Sequence, residues 1–366
     1  MSGVGRFCER SQLDPWKAPP SLTVKLHLQD LTLALRHPFT TANGTLTTQH
    51  NLLVELRAGA HTGRGESPSS RSWPQFDASS ARAALEIARP VIEAADFDEP
   101  SELWTRMLPV LGKHPFALCA LDQAAHDLWG KRRQLPVWRL WGLDATGLPP
   151  TNYTIGLDTI ERMIAKMREF AGWPVYKIKL GSKDDLAIVR ELRRHTNAIL
   201  RIDANTGWTV EQTLKMAPEL KQLGVEFIEQ PLARDDWEGM QIVHRDCVLP
   251  VIADEACQVE SDVARCATCF SGVNIKLAKA GGLTPARRMI QHARMLGLRV
   301  MVGCMCESSI GISATAQLLP LLDDADLDGA LLLAHDIADG VLVAGGRVTL
   351  SESPGTGARL LSNLTP

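Results

Sequence analysis

From about residue 150 onward, short apolar or β-branched runs alternate with segments whose apolar positions recur at helical spacing. The runs are TNYTIG (151–156), VYKIKLG (175–181), AILRIDAN (198–205), VEFIEQP (225–231), LPVIADE (249–255), GVNIKLA (272–278), LRVMVGC (298–304) and ADLDGALLL (325–333). Runs this short and this apolar fit strands buried on both faces. The stretches between them carry helix punctuation. Asp158 with Glu161 predicts a capping-box start, followed by Ile160, Met163, Ile164, Met167 and Phe170 on one face. Thr209 with Gln212 repeats the signature, Gly224 closes that helix, and Pro218 inside it predicts a kink. Thr284 followed by Pro285 opens another helix, which Gly297 ends.

The repeat length says more than any one element. Polar residues end successive runs at Lys179, Asp203, Glu229, Asp254 and Lys276, spaced by 24, 26, 25 and 22 residues. Each interval accommodates one strand, one helix and two loops. Strands and helices alternating at this period predict a parallel sheet, and eight such strands close into a barrel. The barrel is assigned to residues 143–340, giving an α/β fold of the TIM type. Residues 21–142 read differently. KLHLQDLTLALRHPF, HNLLVELRAG and HTGRGESP predict an antiparallel meander turning at Gly59 and Gly63, followed by helices over Ser79–Ala95 and Pro115–Gly130. This is an α+β domain, and the tail from Gly345 is expected to return to it, so that residues 341–366 complete it. Residues 1–20 carry charges where a signal peptide needs an apolar run and are read as a flexible extension.

Composition narrows the class. With 39 Lys+Arg against 42 Asp+Glu, bulk charge offers nothing to a nucleic acid. The longest charge-free apolar stretch of the C-terminal third, Ser308–Leu322, contains Pro320 and is too short to span a bilayer. A soluble, cytoplasmic chain is expected. Its eight cysteines, scattered over 366 residues, are read as reduced and mostly buried thiols. Cys266 and Cys269 form a C-x-x-C, but on the helix expected over Val259–Cys269 they merely share a face.

The charges at the strand ends carry the chemistry. Asp203, Glu229 and Asp254 end three consecutive strands, and three hard oxygen donors at a barrel mouth suit Mg²⁺. Any one of them alone reads as readily as a loop cap or ion-pair partner. Three in a row at the barrel period favour a shared site. Lys177 and Lys179 lie two apart on one strand and therefore on one face. Lys276 is expected to face Lys179 across the mouth. Two lysines on opposite faces of one carbon can remove and return a proton from either side, provided that the lysine acting as base is neutral. Lys279, three residues further on, is assigned to a loop and left out.

Lys177-Ile-Lys179, RIDANTGW with Asp203, EQP with Glu229, ADE with Asp254 and NIKLAKAGGL with Lys276 together resemble the enolase superfamily, in its muconate-lactonising subgroup. The resemblance covers nearly the whole chain. It implies a modified TIM barrel, (β/α)₇β, under an α+β capping domain built from both chain ends. It also implies a Mg²⁺-dependent proton abstraction through an ene-diolate. Asp326-Leu-Asp328 on the eighth strand resembles the dipeptide epimerases, where such a pair holds the α-ammonium of the substrate. An acylated amino acid offers those carboxylates no partner, so an N-acylamino acid racemase or o-succinylbenzoate synthase is the second choice. No histidine ends a strand as sugar-acid dehydratases require. A non-catalytic metal-binding barrel is a third reading, although no lysine or metal carboxylate is missing. The expected substrate is an L,L-dipeptide inverted at its C-terminal residue, and oligomeric state is left open. Glutamate-specific members carry an arginine in the loop after the first capping strand. Residues 37–56 contain no Arg or Lys, and Leu46 stands about where that arginine is expected. A neutral or hydrophobic second residue is therefore favoured, unless Arg64 or Arg71 substitutes.

Overall fold

The computed structural model describes residues 23–42 and 44–361. The extension expected over residues 1–20, and Cys8 within it, lie outside the described residues. The chain opens with an antiparallel sheet of three strands, β1 (Lys25–Thr41), β2 (Gly44–Ala58) and β3 (His61–Pro68). Against it pack α1 (Ala78–Glu93), α2 (Pro100–Leu111) and α3 (Pro115–Arg133). Strand β2 is buried on both sides. Leu52, Val54 and Leu56 meet the helices, while Leu53 joins Leu31, Leu33, Ile310 and Leu333 on the other face. The turn expected at Gly59 is present, with φ of 58°. Gly63 is not a turn. It lies within β3, where a Cβ would collide with the Ala124 carbonyl of α3, so its smallness serves close packing instead. Helix α2 was not anticipated, although its apolar stripe of Leu103, Trp104, Met107 and Leu111 has helical spacing.

Eight parallel strands follow: β4 (Tyr153–Ile155), β5 (Val175–Lys179), β6 (Ile199–Asp203), β7 (Val225–Glu229), β8 (Val251–Ala253), β9 (Gly272–Lys276), β10 (Arg299–Gly303) and β11 (Asp324–Asp326). They pair in chain order. Thr151 bridges Ala325, and the Asn152 N–H donates to the Ala325 carbonyl at 3.3 Å, which closes the barrel. The last strand is shorter than expected. It ends at Asp326, and Gly329–Leu332 turns as a 3₁₀ helix.

Several helix boundaries also move. Thr159 rather than Asp158 caps the helix Ile160–Glu169, because its hydroxyl accepts from the Arg162 N–H, while Asp158 pairs with Lys166. The Thr209–Gln212 capping box forms as expected, and its helix runs through Pro218 to Gln222. Gly282, not Thr284, precedes the helix Leu283–Met295. Around the C-x-x-C only Asp262–Cys266 is helical; Cys266 and Cys269 are buried free thiols.

Asp324, which the sequence reading passes over, proves to be buried at the start of β11. It is 1% exposed, bonded to Arg201 and Arg299, which also share Glu226 at 2.8 and 2.7 Å. Asp324→Ala would leave the Arg201 guanidinium charged and buried. It is expected to cost about 3–5 kcal/mol, read as a lower urea midpoint at unchanged slope.

Capping domain and barrel are fastened at helix starts. Glu66 of β3 accepts from the Ser308 N–H (3.1 Å), the Ser308 hydroxyl (2.5 Å) and the Gly311 N–H (3.3 Å), at the head of the barrel helix Ser309–Ala316. Asp122 of α3 does the same for Leu283–Met295, through the Thr284 N–H at 2.8 Å and hydroxyl at 2.7 Å. An anion at a helix N-terminus satisfies orphan donors and the helix dipole together. The C-terminal tail also reaches α3, where Asp127 accepts from the Thr356 N–H at 2.9 Å.

Candidate active site

Register brings the predicted charges to one level. Lys179 lies beside Asp203 and Asp203 beside Glu229 across β5, β6 and β7. Gly303 of β10 stands between Lys276 and Asp326. A Cβ on Gly303 would come 2.7 Å from Asn274 Oδ1 and 3.1 Å from Lys276 Cε, so the glycine clears room for both. Asp254 lies one residue past the end of β8. Strands β5 and β9 are four positions apart in an eight-stranded barrel, which sets Lys179 and Lys276 on opposite sides.

Asp203, Glu229 and Asp254 are each 0% exposed, and one oxygen from each lies within 4.8 Å of the others. Lys177 sits among the carboxylates, 3.0 Å from Asp203 Oδ2, 2.8 Å from Glu229 Oε2 and 2.8 Å from Asp326 Oδ2. The Glu229 Oε2 contact is electrostatic, since that atom receives no well-aligned hydrogen bond; Asn274 Oδ1 and Asn205 Oδ1 are likewise buried without a donor. Buried acceptors lacking donors beside three converging carboxylates fit a hard divalent cation held by oxygen.

The lysines bracket this cluster. Lys179 Nζ donates to Asp203 at 2.6 Å, and Lys276 Nζ to Asp254 at 2.6 Å. Burial disfavours the Lys276 ammonium, but Asp254 outweighs it and holds the group above the ordinary lysine range. Lys177 is raised in the same way by Asp203, Asp326 and Glu229. Burial and then Asp203 push Glu229 up to about 7, whereas the lysines hold Asp254 low against its own burial.

At the end of the eighth strand and just beyond it, Asp326 and Asp328 both line a cavity of about 120 Å³ together with Lys179 and Lys276. Asp328 lies past the strand, heading the 3₁₀ turn, and accepts from the Thr154 N–H at 2.5 Å. Asp326 accepts from Lys177 and, at 2.7 Å, from Asn152. The two acids are driven apart. Lys177 keeps Asp326 low despite burial, while burial and then Asp326 raise Asp328 to about 8.

The assignment of Lys279 to a loop outside the site is overturned. It lies on the helical turn Leu277–Ala280, 2% exposed, and donates to Asp254 Oδ1 at 2.5 Å. Asn205, Glu255 and Asn274 were also missed. Asn274 could have been found, since it lies two residues before Lys276 on one strand and so shares its face. Of the two substitute arginines, Arg64 points away and pairs with Glu55 at 2.9 Å, whereas Arg71 lines the cavity.

Comparison with known proteins places the whole chain in a family. Residues 24–142 match the model described as mandelate racemase / muconate lactonizing enzyme, N-terminal domain, and residues 159–363 match enolase C-terminal domain-like. An L-Ala-D/L-amino acid epimerase of Flavobacterium johnsoniae is 49% identical over 92% of this chain and 100% of its own. An L-Ala-D/L-Glu epimerase of Bacteroides thetaiotaomicron is 38% identical over 89% of this chain and 85% of its own. Among solved structures, a dipeptide epimerase from Enterococcus faecalis complexed with Mg and L-Leu-L-Tyr superposes with a TM-score of 0.86. It is 28% identical, covering 92% of this chain and 99% of that one. With both of its domains matched and its barrel charges in register, the chain belongs to the enolase superfamily.

Proposed function

We propose that the chain is a Mg²⁺-dependent dipeptide epimerase that inverts the Cα of the C-terminal residue. The observation that carries this reading is the company Asp326 and Asp328 keep: two carboxylates opening on the same small cavity as two opposed lysines. Asp203, Glu229 and Asp254 would hold the metal. Bound there, Mg²⁺ would offset the carboxylate charge beside the lysines and would stabilise the charge growing on the substrate carboxylate.

The protein groups do the rest. Lys179 takes or returns the α-proton on one face of the carbon and Lys276 on the other, each within the reach set by its own strand end. Lys177, fully buried beneath them, adds fixed positive charge near the substrate carboxylate. Asp326 and Asp328 receive the α-ammonium and so decide which carbon stands between the lysines. Burial and Asp326 favour the neutral form of Asp328, and an arriving ammonium favours its carboxylate. Phe39, Leu46 and Leu332 line the same cavity, which supports a neutral or hydrophobic second residue.

The test is exchange from solvent. Mixed L,L-dipeptides incubated with the protein and Mg²⁺ in D₂O are expected to gain one mass unit as the second residue inverts. Failure of every dipeptide to exchange would overturn the reading. Exchange into N-acylamino acids alone would move it to the racemases of the same subgroup.

A further inference from the structure

Backbone strain among the described residues gathers at the barrel mouth. The non-glycine residues with positive φ are Gln134 (55°), Asn205 (43°), Thr206 (67°) and Gln230 (35°). Gln134 ends α3. The other three follow the candidate metal ligands: Asn205 and Thr206 come after Asp203, and Gln230 directly after Glu229. Such a conformation is unfavourable for a residue with a side chain and persists only where its surroundings over-determine it.

At Gln230 the surroundings do so. The residue is 0% exposed. Its N–H donates to the Ile252 carbonyl of β8 at 2.9 Å, and its carbonyl accepts from the Thr206 N–H at 2.9 Å. Its side-chain Oε1 accepts from the Asp254 N–H and the Ala256 N–H, each at 3.0 Å, while Nε2 donates to the Leu232 carbonyl at 3.0 Å. One residue thus joins the loops that follow β6, β7 and β8, the strands after or at whose ends stand Asp203, Glu229 and Asp254. Its Oε1 also fills a particular gap. Strand β8 stops at Ala253, so the Asp254 N–H lies beyond the ladder that pairs Ala253 with Val273. An unpaired N–H on a fully buried residue is costly. Gln230 supplies the acceptor that the short strand lacks, and so fixes where Asp254 stands relative to Glu229.

Resting on the assignment of Asp203, Glu229 and Asp254 to the metal, we propose that Gln230 is a positioning residue that holds these carboxylates convergent before a cation arrives. It acts through the backbone of Asp254 and the loop after β6, not by contact with substrate. The strained loops are the means: they turn the chain back on itself directly after each ligand, and the Gln230 amide locks the turns together. Ligands gathered in advance spare the cation the cost of ordering them, and losing such an outer partner lowers metal affinity by about 10- to 100-fold.

The experiment measures Mg²⁺ affinity by titration calorimetry at pH 8, without substrate, in wild type, Gln230→Met, Gln230→Glu and Asp324→Ala. Gln230→Met keeps the length of the side chain and removes the acceptor; it is expected to weaken Mg²⁺ binding by about 10- to 100-fold. Gln230→Glu keeps an oxygen at the same reach and is expected to recover most of that loss. Asp324→Ala, which destabilises the barrel away from the ligands, is expected to bind Mg²⁺ as wild type does. Should Gln230→Met not fold, Gln230→Asn, whose amide is one methylene short of both N–H groups, carries the same expectation. An unchanged affinity in Gln230→Met, a loss as large in Gln230→Glu, or an equal loss in Asp324→Ala overturns the proposal and leaves the metal assignment intact. Wild type that binds no Mg²⁺ overturns that assignment, and the role of Gln230 with it.

Discussion

Lys276→Ala and Lys179→Ala are each expected to lower epimerisation by about 10³-fold, as loss of an acid–base group does. The two variants should nevertheless keep complementary halves of the chemistry. Inversion needs a proton removed from one face and delivered to the other, and the lysines stand on opposite sides of the barrel on β5 and β9. With one gone, the survivor still takes a proton from the epimer that presents it and still exchanges it with solvent. One variant should therefore exchange the L,L-dipeptide and the other the L,D-dipeptide, both without change of configuration. Mass spectrometry and chiral chromatography of the recovered dipeptide separate the two outcomes. Exchange persisting in the double variant would remove both lysines from the mechanism.

Removing divalent cations should abolish exchange altogether, and restoring Mg²⁺ should recover it with an affinity that depends on pH. The sign follows from Glu229, whose carboxyl burial and Asp203 raise to about 7. Below that value the proton occupies a ligand that the cation needs. Apparent Mg²⁺ affinity is expected to fall by about tenfold per pH unit below 7 and to level off above it. Calorimetry between pH 5.5 and 8 reads this without substrate. Glu229→Gln weakens binding and removes the pH dependence together. An affinity flat across that range would show that Glu229 is not among the ligands.

Much of this site was legible because parallel strands put their chemistry at their ends. The period from Lys179 through Asp203, Glu229 and Asp254 to Lys276 needs no tertiary information beyond strand–helix alternation. Lys177 followed from strand period two. What could not be read depends on contacts between elements distant in sequence. Lys279 comes back to Asp254 only because the chain makes one helical turn directly after β9. Asp324 went unread because its partners, Arg201 and Arg299, reach it from β6 and β10. Glu66 belongs to the capping domain, and no spacing in the chain announces that it will meet the barrel helix starting at Ser309. The boundary errors, at Asp158 and at the end of the eighth strand, have a smaller cause. Several adjacent residues could serve as cap, and packing chose among them.

The carboxylates that head the two barrel helices bear on how the molecule comes apart. Glu66 and Asp122 reach from the capping sheet and α3 to the barrel, so parting the two domains would leave the first N–H groups of two barrel helices without their acceptors. The capping domain thereby finishes helices that the barrel cannot finish alone, and the two domains are expected to melt in one transition, with a single midpoint that Glu66→Ala lowers.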